Sequence, residues 1–382
     1  MTRAVVLGGG MVGSVMALDL LAGEEPWDVT LVDRDEARLR AVAARSGGRL
    51  RVQAADLSSA AAVAAAVEPA DVVVGALASH LGYRALQTVI RAGRPYADIS
   101  FMAEDAWELD ALAKEHGVTA VVDCGVAPGM SNMLAGYGAD QLDRCERIAI
   151  YVGGLPRLRR WPFDYKAPFA PADVLEEYTR PSRVVEGGRL VVKEALCEPE
   201  LLDFDGVGTL EAFVTDGLRS LAATLDVPNM VEKTMRYPGH RALMHAFREA
   251  GLFSKEPLTV GDATVRPLDV TSALLFPKWT FDEGEEDLTV MRVVAEGERA
   301  GAATTLQWDL LDRLDPTTGW SSMSRTTGFP CTAVARLLAA NRIEGPGVLT
   351  PERLGPMPGV LDAVLGALEA RGVVYRASER VG

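Results

Sequence analysis

Short apolar runs alternate with segments of helical length through the first third of the chain. Residues 4–7, 29–32 and 71–77 are almost entirely apolar and have the length of strands. Apolar strands separated by helices are typical of a parallel sheet with helices on both faces. Because crossover connections are right-handed, the pattern predicts a doubly wound α/β sheet. The remaining predicted strands are 51–55, 95–99 and 119–122, and the predicted helices are 13–21, 36–44, 58–67, one that ends at residue 90, and 104–115.

The pattern changes after about residue 125. Residues 189–192, 258–265 and 288–294 alternate between apolar and polar side chains, which predicts antiparallel strands. We therefore expect a second, α+β domain with a mostly antiparallel sheet. Helical patterns return at 332–340 and 360–370. The predicted domains are 1–124, 125–322 and 323–382, the last consisting of helices that return to the first domain.

Composition and charge narrow the class of protein. With 382 residues, of which 48% are hydrophobic and 24% charged, the chain has the composition of a folded protein with more than one domain. Its net charge of −14 argues against a nucleic-acid partner, and no apolar run has the ~20 residues that cross a membrane. The four cysteines and four histidines form no metal-binding or disulfide pattern. We therefore expect no bound metal. Since the first residues lack a secretory signal pattern, we expect a cytoplasmic protein.

A glycine-rich motif joins the first predicted strand to the first predicted helix. Residues 8–13 read G-G-G-M-V-G and match the dinucleotide-binding pattern G-x-G-x-x-G, whose glycines permit a tight turn and close approach to a pyrophosphate. The free N–H groups of the helix N-terminus then face the phosphates. Asp33 ends the second predicted strand, where a carboxylate accepts hydrogen bonds from both ribose hydroxyls. The motif predicts a Rossmann domain in which the cofactor is bound by Gly8, Gly10, Met11, Val12 and Gly13.

The residues around Asp33 bear on the choice between NAD and NADP. A carboxylate at this position repels a 2′-phosphate, so we expect NAD, with NADP less favoured. Arg34 follows directly and is expected either to stack over the adenine or to face solvent. Asp56 is a candidate for binding the adenine amine or for a helix N-terminal charge, and both interpretations stay open. Leu77 follows the fourth predicted strand, where the nicotinamide half is expected.

Several longer motifs resemble those of the saccharopine dehydrogenase family, and more narrowly of its lysine 6-dehydrogenase branch. The resemblance lies in the fingerprint, the strand at 71–77, A-D-I-S at 97–100 and above all D-C-G-V-A-P-G-M at 123–130. It continues through YVGGLP at 151–156, DYK at 164–166, EYTRP at 177–181, LEAF at 210–213, TDGLRS at 215–220, TMRYPGH at 234–240 and SRTTGF at 324–329. The resemblance implies a central domain for substrate binding and dimerisation, and a homodimer or higher homo-oligomer.

The chain also departs from the saccharopine-forming relatives, and most of the departures favour the lysine-oxidising branch. Ala127 stands where those relatives have an acidic residue, and Val152 where they have a cysteine. Conversely, Asp98 and His240 stand where they lack an ionisable side chain. Ala170 replaces a hydroxyl residue that is usual after the Tyr-Lys motif, which leaves the amine substrate open.

Oxidising a primary amine requires side chains that move protons. A lysine ammonium has a pKa of ~10.4, so a base must take its proton before hydride can leave, and water must then attack the imine. Asp98 and Asp123 follow predicted strands at the sheet edge where ligands bind, so they are candidate bases, with a helix cap or a structural aspartate as the alternative. His240 follows Pro-Gly in a turn expected to be exposed, titrates near neutrality and is a candidate for activating water.

An amino-acid substrate also needs groups that bind its α-carboxylate and α-amino group. Arg219 and Arg236 are candidates for the carboxylate, because a guanidinium forms two parallel hydrogen bonds with it; a solvated arginine is the alternative. Glu211 is a candidate for the α-amino group. Tyr165 and Lys166 lie in a Pro- and aromatic-rich loop expected to form a lid, with Tyr165 donating a hydrogen bond to substrate and Lys166 either binding substrate or carrying surface charge.

These observations predict an NAD-dependent enzyme that oxidatively deaminates the terminal amine of L-lysine to allysine, which cyclises to piperideine-6-carboxylate. One alternative is a saccharopine- or carboxynorspermidine-type reductase that joins an amine to a carbonyl compound. Another is a nucleotide-binding protein without catalytic turnover.

Overall fold

The computed structural model describes residues 1–23, 26–169, 171–343 and 345–382. These residues form two compact units. The first comprises residues 1–137 and 324–374, and the second comprises 138–323 and 375–382. Ala170, which bears on the amine substrate, lies outside the described residues.

Strands and helices alternate at the start of the chain and strands predominate in the middle. The strands are β1 (Thr2–Leu7), β2 (Trp27–Asp33), β3 (Arg51–Ala54), β4 (Val72–Gly75), β5 (Tyr96–Asp98), β6 (Thr119–Val121), β7 (Arg144–Pro156), β8 (Ser182–Glu186), β9 (Arg189–Lys193), β10 (Glu200–Phe204), β11 (Gly208–Val214), β12 (Met230–Arg236), β13 (Leu258–Val260), β14 (Ala263–Val265), β15 (Asp287–Arg299), β16 (Ala302–Arg313), β17 (Gly347–Leu349) and β18 (Tyr375–Val381). The α-helices are α1 (Met11–Ala22), α2 (Glu36–Arg45), α3 (Ala60–Val67), α4 (Ser79–Arg91), α5 (Asp110–Glu115), α6 (Met130–Asp140), α7 (Pro171–Thr179), α8 (Leu221–Thr224), α9 (His240–Glu249), α10 (Pro267–Trp279), α11 (Ser322–Ala339), α12 (Pro351–Leu354) and α13 (Val360–Glu369); a short 3₁₀ helix, Ala106–Leu109, precedes α5.

The first unit is built on a parallel sheet with the strand order β17-β6-β5-β4-β1-β2-β3. Val5 and Leu7 of β1 join a core cluster that includes side chains of α3 and α4, whereas Val6 is fully buried outside that cluster. Because both faces of β1 are covered, its sequence is apolar without alternation. The prediction of a doubly wound α/β sheet is confirmed.

The second unit is built on a nine-stranded sheet. Its main path runs β10-β11-β12-β7-β15-β16-β18, and β8 pairs with both β12 and β9. The pairing of β12 with β7 is parallel, and the other pairings are antiparallel. The predicted mostly antiparallel sheet is therefore confirmed. Residues 258–265 are not one strand as predicted, because a turn at Gly261, with φ of 60°, folds them into the hairpin β13–β14.

The C-terminal part of the chain contributes to both units. Residues 324–374 belong to the first unit, where β17 adds a parallel strand beside β6. Residues 375–382 do not join the first unit as predicted: β18 pairs with β16 in the second sheet. None of the described helices is long and apolar enough to cross a membrane.

A buried carboxylate on α1 holds the C-terminal segment within the first unit. Asp19 is 2% exposed, and its Oδ2 accepts a hydrogen bond of 2.6 Å from the Thr332 hydroxyl. Its Oδ1 accepts from Arg371 Nε, and Arg336 lies 3.8 Å from Oδ2. An anion between two arginines therefore links the helix that follows the glycine-rich motif to α11 and to the residues after α13.

Candidate active site

The glycine-rich loop has the geometry of a dinucleotide cradle. Gly8 has φ of 100°, and a Cβ atom there would lie 2.4 Å from the carbonyl oxygen of Ala76. A Cβ atom at Gly13 would lie 2.0 Å from the Gly8 carbonyl oxygen. Both positions require glycine because backbone segments touch there. At Gly10, by contrast, a Cβ atom would meet no described atom within 4 Å, so this side of the loop has room for a pyrophosphate at the N-terminus of α1.

Asp33 is held against this loop. Its Oδ2 accepts a hydrogen bond of 2.6 Å from the Gly9 N–H, and its Oδ1 accepts one of 2.9 Å from the Asp35 N–H. The carboxylate therefore lies at the carboxyl end of β2 beside the loop, in the position expected of a ribose ligand. Together, loop and carboxylate fit a nicotinamide dinucleotide.

Three other predicted cofactor residues follow the strands β2, β3 and β4. Arg34 and Asp56 are exposed, and Asp56 Oδ1 accepts a hydrogen bond of 3.0 Å from the Ser58 N–H. The Ser58 hydrogen bonds lower the pKa of Asp56, which favours the helix N-terminal interpretation for this residue. Leu77 lies just after β4, and its N–H donates to Ser100 Oγ over 3.2 Å.

The first turn of α1 offers a direct test of the cradle. Met11 is 48% exposed and Val12 is half-buried, and both follow Gly10 in the first turn of α1. Gly10 has φ of −66°, which alanine adopts without strain. We expect Gly10→Ala to leave the melting temperature unchanged and to weaken dinucleotide binding by about tenfold or more, which is about 1.4 kcal/mol. Calorimetric titration checks the affinity, and unchanged binding would remove the pyrophosphate from this loop.

Two acidic side chains meet at the carboxyl edge of the parallel sheet. Asp98, the last residue of β5, is fully buried, and its Oδ1 accepts hydrogen bonds from the Ser100 N–H (3.1 Å) and hydroxyl (2.8 Å). Its Oδ2 has no hydrogen-bond partner among the described residues. Burial, with a smaller contribution from the nearby Asp123, raises the pKa of Asp98 to about 7, although the Ser100 hydrogen bonds lower it. This carboxyl group can therefore take up and release a proton near neutral pH.

Asp123 lies beside Asp98 after the neighbouring strand β6. It is 6% exposed and has φ of 55°, an uncommon conformation for a residue other than glycine. The next N–H, of Cys124, donates to the Asp98 carbonyl oxygen over 2.8 Å and so joins the two strand ends. The structure thus brings together the two aspartates that the sequence placed at strand ends; their catalytic role stays a prediction.

Tyr96 and Gly75 belong to the surroundings of Asp98, and neither was predicted as a site residue, although Gly75 lies in the motif at 71–77. A Cβ atom at Gly75 would lie 2.0 Å from the Tyr96 hydroxyl and 2.2 Å from Asp98 Oδ1. Only glycine at the end of β4 therefore leaves room for both groups. The Tyr96 hydroxyl is buried, and burial raises its pKa well above the ordinary value, so it stays protonated.

The prediction that His240 is exposed and titrates near neutrality is wrong. His240 begins α9 and is 2% exposed. Its Nδ1 lies 2.8 Å from the Phe163 carbonyl oxygen, which can only accept, so Nδ1 carries the proton and Tyr178 donates its hydroxyl hydrogen to Nε2 over 2.9 Å. Burial and the nearby Arg236 lower the pKa of His240 to about 3. Because the ring is enclosed and both of its nitrogens are engaged, His240 is not placed to activate water.

Arg236 is also an interior residue, which contradicts its predicted role as a carboxylate ligand. It is 2% exposed, and its Nη2 donates to Glu177 Oε2 over 2.7 Å. Its Nε donates to the Tyr178 hydroxyl over 3.1 Å, and its Nη1 donates to the Met235 carbonyl oxygen over 3.0 Å. All three guanidinium nitrogens are thus engaged within the protein. Glu177 and Tyr178, which sequence reasoning missed as polar partners, lie in the quoted E-Y-T-R-P motif.

Tyr165 does not form part of an exposed lid as predicted. It is 3% exposed, its ring centroid lies 4.7 Å from that of His240, and the Trp279 ring packs edge-on at 5.4 Å. The aromatic composition of the loop reflects this core rather than a surface for substrate.

Two further candidates contact residues of the second unit. The Lys166 ammonium pairs with Asp282 at 3.0 Å and with Glu285, which supports a structural charge rather than a substrate ligand. Glu211 is half-buried, and its Oε2 accepts a hydrogen bond of 3.1 Å from the Gly239 N–H in the turn before α9.

Arg219 stays a candidate for binding the substrate carboxylate. It is half-buried and has φ of 50°, a left-handed conformation that is rare outside glycine. The preceding Leu218 and the nearby Leu221 are fully buried and fix the turn on both sides. Strained backbone at a polar residue is common in binding sites, so this arginine is the better candidate for the α-carboxylate.

The fold and the glycine-rich loop place the protein among the oxidoreductases that use a nicotinamide cofactor. The family model described as "Saccharopine dehydrogenase NADP binding domain" matches residues 4–121, and that described as "Saccharopine dehydrogenase C-terminal domain" matches residues 125–373. The chain belongs to the saccharopine dehydrogenase family, whose members are NAD(P)-dependent oxidoreductases acting on CH–NH donors.

Relatives align along most of the chain. The carboxynorspermidine synthase of Vibrio cholerae is 25% identical over 92% of both chains. The saccharopine dehydrogenase [NADP(+), L-glutamate-forming] of Saccharomyces cerevisiae is 22% identical over 99% of both. The solved structure of apo saccharopine dehydrogenase (L-Glu forming) from Saccharomyces cerevisiae covers 100% of both chains with a TM-score of 0.83 and 18% identity, which shows the shared fold.

Proposed function

We propose that the protein oxidises the terminal amine of L-lysine with NAD, releasing ammonia and forming allysine. The observation that carries the proposal is Asp98, a carboxyl group with a free oxygen and a pKa of about 7 at the sheet edge near Leu77. Ala127, in the turn after β6, offers no acid that could do the same work. The reaction balances as lysine ammonium, NAD⁺ and water giving aldehyde, ammonium, NADH and one proton.

The raised pKa of Asp98 makes it a better base for an ammonium. Moving a proton from an ammonium of pKa ~10.4 to a carboxyl of pKa about 7 costs roughly 4–5 kcal/mol, against roughly 9 kcal/mol at the ordinary value of 3.8. Burial therefore removes about half of the cost of deprotonation, while a pKa near 7 keeps the group ionised in a useful fraction of molecules at neutral pH.

Each remaining role falls to one group. The glycine-rich loop binds the pyrophosphate, Asp33 binds the ribose, and the bound nicotinamide supplies the hydride acceptor. Arg219 binds the α-carboxylate, and Glu211 remains a candidate for the α-amino group. Asp123 holds the water that replaces nitrogen at the oxidised carbon.

The specificity for NAD rests on Asp33, although the matched N-terminal family model is described as NADP-binding. We expect Asp33→Ala to weaken NAD binding by about 1–3 kcal/mol, because ribose hydroxyls lose their acceptor. The ratio of NAD to NADP affinity should fall at the same time, since the repulsion of a 2′-phosphate is removed. Titration of both cofactors into both proteins checks this, and a preference of the unmodified protein for NADP would refute the assignment.

A second candidate function is reductive joining of an amine to a carbonyl compound. It is favoured by the relative named carboxynorspermidine synthase, which aligns over 92% of this chain. One series of assays distinguishes the two functions. NADH formed from lysine and NAD alone supports oxidative deamination, whereas a requirement for glutamate or 2-oxoglutarate selects the second function. Cofactor binding without turnover in either series indicates a protein that has lost catalysis.

The enzyme is also proposed to form a homodimer or higher oligomer through its second unit and to act on free amino acids in the cytoplasm. Sedimentation velocity measures the association state directly.

A further inference from the structure

A buried acidic side chain lies directly beneath the loop that carries Arg219. Glu232 on β12 is 4% exposed, and its Oε2 accepts a hydrogen bond of 2.5 Å from the hydroxyl of Thr215, the first residue of the loop 215–220. The Thr215 hydroxyl also lies 2.9 Å from that of Thr234, two residues along β12. Strand and loop are thus joined by a hydroxyl–carboxyl network that is closed to solvent.

The loop backbone packs tightly on this carboxyl group. A Cβ atom at Gly217 would lie 2.4 Å from both Cδ and Oε2 of Glu232, so only glycine permits the contact. On its other side the loop is fixed by Asp216, whose two oxygens accept hydrogen bonds of 2.9 and 3.0 Å from the Arg183 guanidinium on β8. Arg219 follows within the same loop in its left-handed conformation. The position of Arg219 therefore depends on the contacts that fix this loop, which are made by Glu232 and Asp216.

We propose that Glu232 is a positioning residue whose carboxyl group holds the loop 215–220 in the conformation that presents Arg219 to the carboxylate of an amino-acid substrate. The proposal rests on the assignment of Arg219 under the proposed function. Glu232 touches neither substrate nor cofactor in this scheme, and it acts only through the loop.

The charges that face Glu232 make this contact sensitive to pH. The carboxyl group of Glu177 approaches from α7 and is paired with Arg236; that of Asp216 approaches from the loop and is paired with Arg183. Burial first, and then these two carboxylates, raise the pKa of Glu232 to about 8. Because the folded-state pKa lies above the ordinary value, the neutral form predominates at neutral pH and is lost as pH rises through about 8, although the hydrogen bond from Thr215 favours the charged form. Ionisation then places a further negative charge against Asp216 and the loop.

Two substitutions at this position separate charge from shape. Glu232→Gln keeps a neutral group of the same shape, so at pH 7 it should have the same KM for lysine as the unmodified enzyme. Above pH 8 the KM of the unmodified enzyme should rise, whereas that of Glu232→Gln should not. Glu232→Ala removes the carboxyl group against which the Gly217 backbone packs and to which the Thr215 hydroxyl donates, while the contact of Thr215 with Thr234 remains. We expect it to raise KM about tenfold at pH 7, with kcat changed less than twofold and NAD affinity unchanged. Glu186→Gln, which alters an exposed glutamate on β8 of the same sheet, is the matched control and should behave as the unmodified enzyme.

Hydrogen exchange of the loop amides tests the contact without any turnover. Corrected for intrinsic rates, exchange of residues 215–221 should increase about tenfold in Glu232→Ala, and in the unmodified protein above pH 8, but not in Glu232→Gln. If Glu232→Ala unfolds, Gly217→Ala should produce the same local exchange and KM change by displacing the loop. Unchanged loop exchange and KM in Glu232→Ala, or equal pH profiles for the unmodified enzyme and Glu232→Gln, would overturn the proposal. Absence of lysine turnover in the unmodified protein refutes the proposed function instead, while the exchange result still decides whether Glu232 holds the loop.

Discussion

Asp98→Asn lowers turnover of lysine at pH 7 by about 100- to 10,000-fold, the usual effect of removing a positioned base. The amide keeps the shape and can still accept from Ser100, but it cannot take the ammonium proton. NAD affinity should stay almost unchanged because Asp98 lies outside the glycine-rich loop. Steady-state kinetics and NAD titration measure the two effects separately. Raising the pH should restore part of the activity, since solvent then deprotonates the amine.

The pH profile of kcat gives an independent check on Asp98. Below pH 7 the carboxyl group becomes protonated, so kcat should fall on the acid side with a midpoint near the pKa of about 7. Ser100→Ala removes the hydroxyl hydrogen bond that favours the charged form and keeps the one from the backbone N–H, so it should move this midpoint to higher pH. Asp71→Asn, which alters an exposed aspartate of the same unit, is the control and should leave kcat unchanged. Near-normal turnover of Asp98→Asn at pH 7 would exclude Asp98 as the base and make Asp123 the next candidate.

Asp19→Ala lowers the free energy of unfolding by about 3–5 kcal/mol, because it leaves Arg371 and Arg336 without their buried anion. The side chains of the two arginines are only 21% and 16% exposed, so water compensates little for the loss. Urea denaturation measures the change. Asp71→Ala breaks an ion pair with Arg3 in which the side chains of Asp71 and Arg3 are 42% and 52% exposed. It should lower the free energy of unfolding by at most about 1 kcal/mol. Equal losses in the two variants would show that Asp19 does not anchor the C-terminal segment.

The elements of this fold that could be predicted from sequence are those with a distinctive local pattern of apolar and polar residues. The strands β1, β2 and β4 were predictable because buried parallel strands are continuously apolar. The strand β17 was not, since three residues, Gly-Val-Leu, give no periodicity to recognise. The hairpin β13–β14 appeared as one strand because the turn at Gly261 interrupts the alternation for only two residues.

In the candidate site, too, local patterns were informative and contacts between distant residues were not predictable. Asp98 and Asp123 could be placed together from sequence because adjacent parallel strands end at one sheet edge. The interior positions of His240 and Arg236 could not be predicted, because their partners Tyr178 and Glu177 lie about 60 residues away. Polar groups become buried wherever they satisfy one another's hydrogen bonds, and a linear pattern of polar residues gives no sign of such pairing. The buried position of Glu232 could not be predicted for the same reason.

The distribution of the chain between the two units has a consequence for its synthesis. Domains that consist of one continuous segment can fold as soon as that segment leaves the ribosome. Here the first sheet lacks β17 until residue 349 has been made, and the second lacks β18 until residue 381. Until then, the edges of β6 and β16 that these strands cover remain open to pairing with other chains. Both halves of the molecule therefore mature late and nearly together, and nascent chains that stop before residue 347 should be prone to aggregation.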